Sequence, residues 1–182
     1  MSGGLQRPYT QVKRIADMLL ERLAPACHRI EIAGSLRRKR PFVGDIEFVA
    51  VPILGLDLFK QPTGDSAVDA LLAMWPIELK LNGNKQKQFV VTTTAGERFA
   101  VDLFLQPDPV TWGINMMIRT GSAEFSKRMV TPQYNGGYMP SDLFVRHARA
   151  WRRGEAEPLA TPEETDVFEL WGMEFVPPEG RN

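Results

Sequence analysis

The stretch Gly34-Ser35-Leu36-Arg37-Arg38-Lys39-Arg40-Pro41-Phe42-Val43-Gly44-Asp45-Ile46-Glu47-Phe48-Val49 opens with a Gly-Ser turn and runs through a basic segment. It breaks at Pro41 and Gly44 and then enters a strongly apolar run that reaches Ile53. Asp45 and Glu47 stand two apart at the start of that run. On a strand this spacing puts both carboxylates on one face, with Ile46 and Phe48 on the other. Neighbouring carboxylates repel each other unless a cation sits between them. Hard oxygen ligands at a strand end suit Mg²⁺, which takes one or two carboxylates together with substrate phosphates. Gly34 allows a backbone to approach phosphates closely, Ser35 offers a hydroxyl, and Arg37 or Arg38 offers a forked donor for phosphate oxygens. The expectation from this stretch is a metal-dependent nucleotidyl-transfer site.

A third segment, Val101-Asp102-Leu103-Phe104-Leu105, completes the set. The apolar runs Phe89–Thr94 and Arg98–Leu105 read as a hairpin joined through Ala95-Gly96. In the second run Phe99, Val101, Leu103 and Leu105 share one face, and Asp102 lies on the other. A carboxylate in an apolar strand needs a partner or a metal. Beside an Asp-x-Glu strand it reads as the third acidic ligand. In such a site Asp45 and Glu47 bridge two ions, and Asp102 holds the catalytic ion and receives the proton of the attacking hydroxyl.

The remaining chain bounds the reading. With 182 residues, 43% hydrophobic and 24% charged, it has room for one domain and a small lobe. The formal net charge is zero, so contact with nucleic acid must come from local patches. One patch is Arg37–Arg40; another is Arg146, Arg149, Arg152 and Arg153, with His147 among them. Cys27 is the only cysteine, which excludes a disulfide within the chain and points to a reducing, cytoplasmic setting. Two histidines and one cysteine argue against a zinc site. No run approaches a membrane span, and Met1–Thr10 lacks the apolar segment of a signal peptide.

Helical spacing of Val12, Ile15, Ala16, Leu19 and Leu23 predicts a first helix with Thr10 as N-cap and Pro25 as its stop. Ile30–Ile32 reads as a short strand. Ser66–Met74 reads as a helix with a capping box between Ser66 and Asp69. A helix is expected over Trp112–Arg119, then a sharp turn at Thr120-Gly121-Ser122 and a second helix through Phe125 and Met129. Leu143–Val145 reads as a strand followed by a basic loop. Thr161-Pro162-Glu163-Glu164 reads as a helix start with Thr161 as N-cap. From about Ser122 onward the pattern is that of a smaller lobe, giving a division into residues 1–121 and 122–182.

Taken together, Gly34-Ser35-x-Arg37-Arg38, Gly44-Asp45-Ile46-Glu47, Val101-Asp102-Leu103 and Thr120-Gly121-Ser122 resemble the palm of the family X, polymerase-β-like DNA polymerases. The C-terminal stretch from Glu164 to Arg181, with Phe168, Gly172, Phe175 and Pro177-Pro178-Glu179-x-Arg181, looks like their thumb. The resemblance spans roughly residues 10–181 and is nearest to the small, stand-alone members of bacteriophage type. It implies an α/β (α+β) fold: a nucleotidyltransferase palm with a mixed sheet flanked by helices, plus a thumb-like lobe. It further implies a DNA-directed polymerase of the DNA-repair kind. Such an enzyme adds dNMP from dNTP to a DNA 3′-hydroxyl, releases pyrophosphate and depends on Mg²⁺, with Mn²⁺ as a substitute. The metal ligands and catalytic residues would be Asp45, Glu47 and Asp102. Triphosphate contacts would be Gly34, Ser35, Arg38 and Gly44. Sugar and base contacts would be Ile118, Arg119, Thr120 and Gly121. Weak DNA contacts would come from Lys127, Arg128, Arg146 and Arg149, in a monomer.

The sequence departs from that pattern in several places. The lyase domain and helix-hairpin-helix fingers of larger members have no counterpart in these residues, which argues against tight gap binding. Glu47 stands where Asp is usual, and Ile118-Arg119 stands where an aromatic pair screens the ribose. Ala123 replaces an acidic residue, and Ala100 an arginine. Two alternatives stay open on the sequence: transfer to RNA, a small molecule or a protein side chain, and a catalytically idle nucleic-acid-binding module.

Overall fold

A computed structural model describes residues 5–56 and 62–182. The chain divides into two compact units, residues 1–107 and 108–182. The division falls ahead of the expected 121/122 boundary because the helix of Trp112–Thr120 buries its apolar face in the second unit's core.

The first unit contains β1 (Arg7–Pro8), α1 (Tyr9–Leu23), β2 (Cys27–Ile32), α2 (Gly34–Arg37), β3 (Phe42–Val43) and β4 (Ile46–Pro52). These are followed by β5 (Leu54–Leu56), β6 (Pro62–Ser66), α3 (Ala67–Ala73), β7 (Glu78–Asn82), β8 (Gln86–Thr92) and β9 (Arg98–Leu105). A five-stranded mixed sheet runs in the order β2-β4-β9-β8-β7. Within it β4 and β9 are parallel and the other neighbours antiparallel. Helices flank this sheet, so the unit is a mixed α/β structure. No described helix is long and apolar enough to cross a membrane.

Strand alternation assigns the two faces of the sheet. Ile46, Phe48 and Ala50 of β4, Phe89 of β8, and Phe99, Val101, Leu103 and Leu105 of β9 all enter one core. Val12, Ile15, Ala16, Leu19 and Leu23 of α1 close over it, joined by Val68 and Leu72 of α3. Each of the Val, Leu, Ile and Phe side chains contributes roughly 1.5–3 kcal/mol by leaving water. The opposite face carries Glu47 and Asp102, both half-buried.

Three local expectations for this unit change, the first being that β2 begins at Cys27 and not at Ile30. The first helix starts at Tyr9 with Pro8 as N-cap, not Thr10, because the Tyr9 N–H donates to the Pro41 carbonyl at 3.0 Å. A backbone acceptor thus takes the role foreseen for the Thr10 hydroxyl. Strand β8 begins at Gln86, three residues ahead of Phe89, and the polar trio Gln86-Lys87-Gln88 hid that start. The capping box at Ser66 and Asp69 is present as read. It also receives Lys87, which is 1% exposed and donates to Asp69 and to Asn82 Oδ1 at 2.6 Å. Burial pushes the Asp69 carboxyl up, but hydrogen bonds from Lys87 and Ser66 outweigh it, and the net shift is downward.

The second unit contains α4 (Trp112–Thr120), α5 (Ala123–Met129), β10 (Leu143–Arg146), β11 (Arg149–Arg152), β12 (Pro158–Leu159) and α6 (Glu164–Leu170). Ile114, Met117, Phe125, Met129, Val167, Phe168 and Trp171 form its core. At Gly113 an added Cβ would meet the Glu163 carbonyl oxygen at 2.0 Å, so only glycine fits there. The expected N-cap Thr161 is instead buried. Its carbonyl accepts from Gly113 N–H at 2.7 Å, and its N–H donates to Val110 at 2.7 Å. Helix α6 starts later, capped by Glu163 in a box with Asp166. The basic loop after β10 is a hairpin: His147 and Ala148 take φ of 52° and 55°, and Arg146 pairs with Arg149. Arg181 is 0% exposed and pairs with Glu164. Its guanidinium lies 5.1 Å from the Phe168 ring centroid and 5.2 Å from that of Phe175.

Candidate active site

Parallel pairing of β4 with β9 sets Glu47 opposite Asp102 in register. Antiparallel pairing of β8 with β9 sets Gln88 opposite Asp102 on its other side. One row of polar side chains thus crosses three adjacent strands: Glu47, Asp102, Gln88. Just after β2, the Ala33 N–H donates to the Glu47 carbonyl at 2.8 Å, which brings the following Gly34 beside Glu47.

Gly34 follows with φ of +62°, a conformation that glycine adopts without strain. A Cβ there would lie 1.6 Å from Glu47 Oε2, so the carboxylate rests directly against the Gly34 backbone. From this point α2 turns away, with Arg38 N–H donating to the Gly34 carbonyl at 3.2 Å. Burial pulls the Arg38 guanidinium below its usual range, while the charge of Glu47 opposes that shift. The same local fold therefore brings Gly34, Arg38 and Glu47 together, as the spacing of the motif suggested. Ser35 is half-buried in the first turn of α2.

Asp45 and Gly44, both half-buried, immediately precede β4. The Asp45 carboxyl is pushed above its ordinary range, first by burial and second by the negative charge of Asp102. A backbone hydrogen bond only partly offsets this. Asp45 and Asp102 therefore feel each other as like charges. Of the expected site residues Gly44 lines a cleft of about 260 Å³, together with Leu5, Arg7, Val90, Arg98 and Ala100. Asp102 itself accepts from Gln86 Nε2 at 2.9 Å and Gln88 Nε2 at 2.5 Å, both on the same oxygen, Oδ1. Neither glutamine was foreseen. The available signal was their alternation, Gln86 and Gln88, on the strand that hairpins onto Asp102.

The donor chemistry fits a hard divalent cation: carboxylates side by side on a half-buried face, two of them repelling. Among the described residues no three His, Cys, Asp or Glu side chains are already gathered as a metal-holding group. Glu47 rests against Gly34, whereas Asp45 and Asp102 interact with each other.

The other expected contacts lie in the second unit. Ile118, Arg119 and Thr120 form the last turn of α4, with Thr120 buried, and Gly121 caps it. Lys127 and Arg128 are exposed on α5, and Arg128 stacks over Tyr138 at 4.3 Å. Arg146 is exposed at the hairpin, and Arg149 is paired with Asp108 at 3.1 Å.

No protein-family model matches this chain, and no curated protein matches it significantly.

Proposed function

We propose that the chain is a minimal nucleotidyltransferase of the family X type, with residues 1–107 as a palm-like catalytic unit and residues 108–182 as a thumb-like one. In this reading it extends a DNA 3′ end with dNMP from dNTP and releases pyrophosphate. The observation that carries the reading is the in-register pairing of Glu47 with Asp102 beside a destabilised Asp45. Burial and the charge of Asp102 both raise the cost of ionising Asp45, a cost that a purely structural role would not call for.

Asp45, Glu47 and Asp102 would hold Mg²⁺, or Mn²⁺ in its place. The metal, when bound, supplies charge neutralisation at the phosphates and lowers the pKa of the attacking hydroxyl. The protein's own groups do the rest. Gly34 lets the backbone come close to the triphosphate, Ser35 and the backbone at Gly44 donate to it, and Arg38 offers forked donors to the departing pyrophosphate. Asp102 is suited to take the proton from the 3′-hydroxyl. On the second unit the exposed Lys127, Arg128 and Arg146 are available to DNA phosphates.

Primer extension with labelled dNTPs and rNTPs, with and without a template strand, tests the reading. Extension should require added Mg²⁺ or Mn²⁺, stop in excess chelator and resume when metal is restored. Undiminished extension in chelator contradicts a metal-dependent site, and no extension of any primer under any metal contradicts transfer to DNA.

A further inference from the structure

Asp102 is held in a way that its place in the sheet does not require. Two side-chain amides from one strand donate to a single oxygen, Oδ1, at 2.9 and 2.5 Å. Gln88 is the direct cross-strand partner of Asp102, and Gln86 is the diagonal neighbour on the same face. Among the described residues Oδ2 receives no donor. A carboxylate otherwise rotates broadly about its last torsion. Pinning Oδ1 from one side fixes which oxygen is presented away from β8.

The chemical identity of the donors also matters. Amides are neutral, so they orient the carboxylate without cancelling its charge, as a lysine or arginine would. Lys87, the one cation within β8, stands between the two glutamines. Strand alternation sends it to the opposite face, where Asp69 and Asn82 hold it. Strand β8 thus presents neutral donors to Asp102 and keeps its positive charge away.

We infer that Gln86 and Gln88 are positioning residues: a neutral two-amide clamp that fixes one oxygen of Asp102 and leaves the other for a divalent cation. This rests on the nucleotidyl-transfer reading above. It adds a pair of residues that act through Asp102 without touching the nucleotide. Partners of this kind typically change metal affinity or activity by about 10–100-fold when removed.

The test compares wild type, Gln86→Leu, Gln88→Leu, the double variant Gln86→Leu/Gln88→Leu, and Gln88→Lys. Mn²⁺ binding is followed by its electron paramagnetic resonance signal, alongside thermal melting and primer extension in Mg²⁺. The double variant should bind Mn²⁺ about 10–100-fold more weakly. Its kcat should fall in parallel, while the KM for dNTP stays within about threefold. Each single variant should lose less, since one amide remains. Gln88→Lys keeps a donor but neutralises Asp102, so it should melt at or above the wild-type temperature and still bind Mn²⁺ poorly. Wild-type Mn²⁺ affinity in the double variant, or in Gln88→Lys, overturns the clamp. Mn²⁺ binding that depends on the glutamines in a protein that extends no primer upholds the clamp and removes the DNA-transfer reading. A wild type that binds no Mn²⁺ overturns both.

Discussion

Both units of this protein carry charge away from bulk water, and they treat it in opposite ways. In the second unit Arg181 is sealed from solvent, paired with Glu164 and surrounded by the rings of Phe125, Phe168 and Phe175. Opposite charges meet, and a hydrogen bond from Arg181 Nε to the Val176 carbonyl at 2.8 Å adds to the satisfaction of the guanidinium. In the first unit Asp45 and Asp102 are half-buried like charges that disfavour each other, with Glu47 in register beside them. On the function proposed above, the difference is one between structural and functional charge. The ion pair brings opposite charges together, while Asp45 and Asp102 bring like charges together.

That contrast can be broken from the structural side first, where the largest stability effect is expected. Arg181→Met leaves Glu164 buried without its cation, and unpaired burial of this kind costs about 3–5 kcal/mol. Denaturant unfolding should register that loss. Adding Glu164→Leu should recover most of it, because apolar replacement of a buried pair is often neutral. A single variant as stable as wild type would remove the structural half of the comparison.

Gly34→Ala probes the functional side. The new Cβ would displace the Glu47 carboxylate and would force a non-glycine residue to φ of +62°. Extension should fall by about 10²-fold, against a stability cost of about 1–2 kcal/mol. Unchanged extension would mean that the position of Glu47 against Gly34 is immaterial. Arg38→Ala should have a smaller effect, raising the KM for dNTP about tenfold while DNA affinity changes less. The reverse pattern would move Arg38 to the DNA side.

The smallest expected effect concerns Asp69, a half-buried acid paired with an opposite charge. Its carboxyl is lowered in the fold, so its contribution to stability is present above the ordinary carboxylate range and lost as pH falls toward its folded value. Asp69→Asn should therefore be less stable than wild type at neutral pH. The gap should narrow below about pH 3.9, where an unperturbed Asp protonates. A gap that is constant with pH would show that the Lys87 pairing contributes little.

Much of the first unit's sheet could be read from the chain, because strand alternation at Ile46–Phe48 and Phe99–Leu105 is a local pattern. Alternation also separated Asp102 from the apolar side of its own strand, whereas setting Glu47 opposite Asp102 took the register of β4 with β9. What stayed hidden depended on contacts distant in sequence. Thr10 lost its capping role to Pro41, and Thr161 lost its own to Val110 and Gly113. The boundary between units moved because helix α4 matches α6 in its apolar face, which spacing within α4 cannot reveal. Gln86 and Gln88 were missed because strand β8 opens in polar residues, and their meaning appears only through register with β9. Glu164 stands in the expected helix start, and nothing local shows that it forms an ion pair. Its partner Arg181 lies 17 residues away and closes only in the folded unit.

The most direct test of the contrast is Asp102→Asn, which keeps shape and removes one of the opposed charges. Single-turnover extension and denaturant unfolding should be measured on the same preparation. Extension is expected to fall by about 10²–10⁴-fold while stability is unchanged or higher, because a like-charge repulsion has been relieved. A variant that retains more than about a tenth of the wild-type rate, or that loses stability as Arg181→Met does, would contradict the claim that these carboxylates serve a reaction.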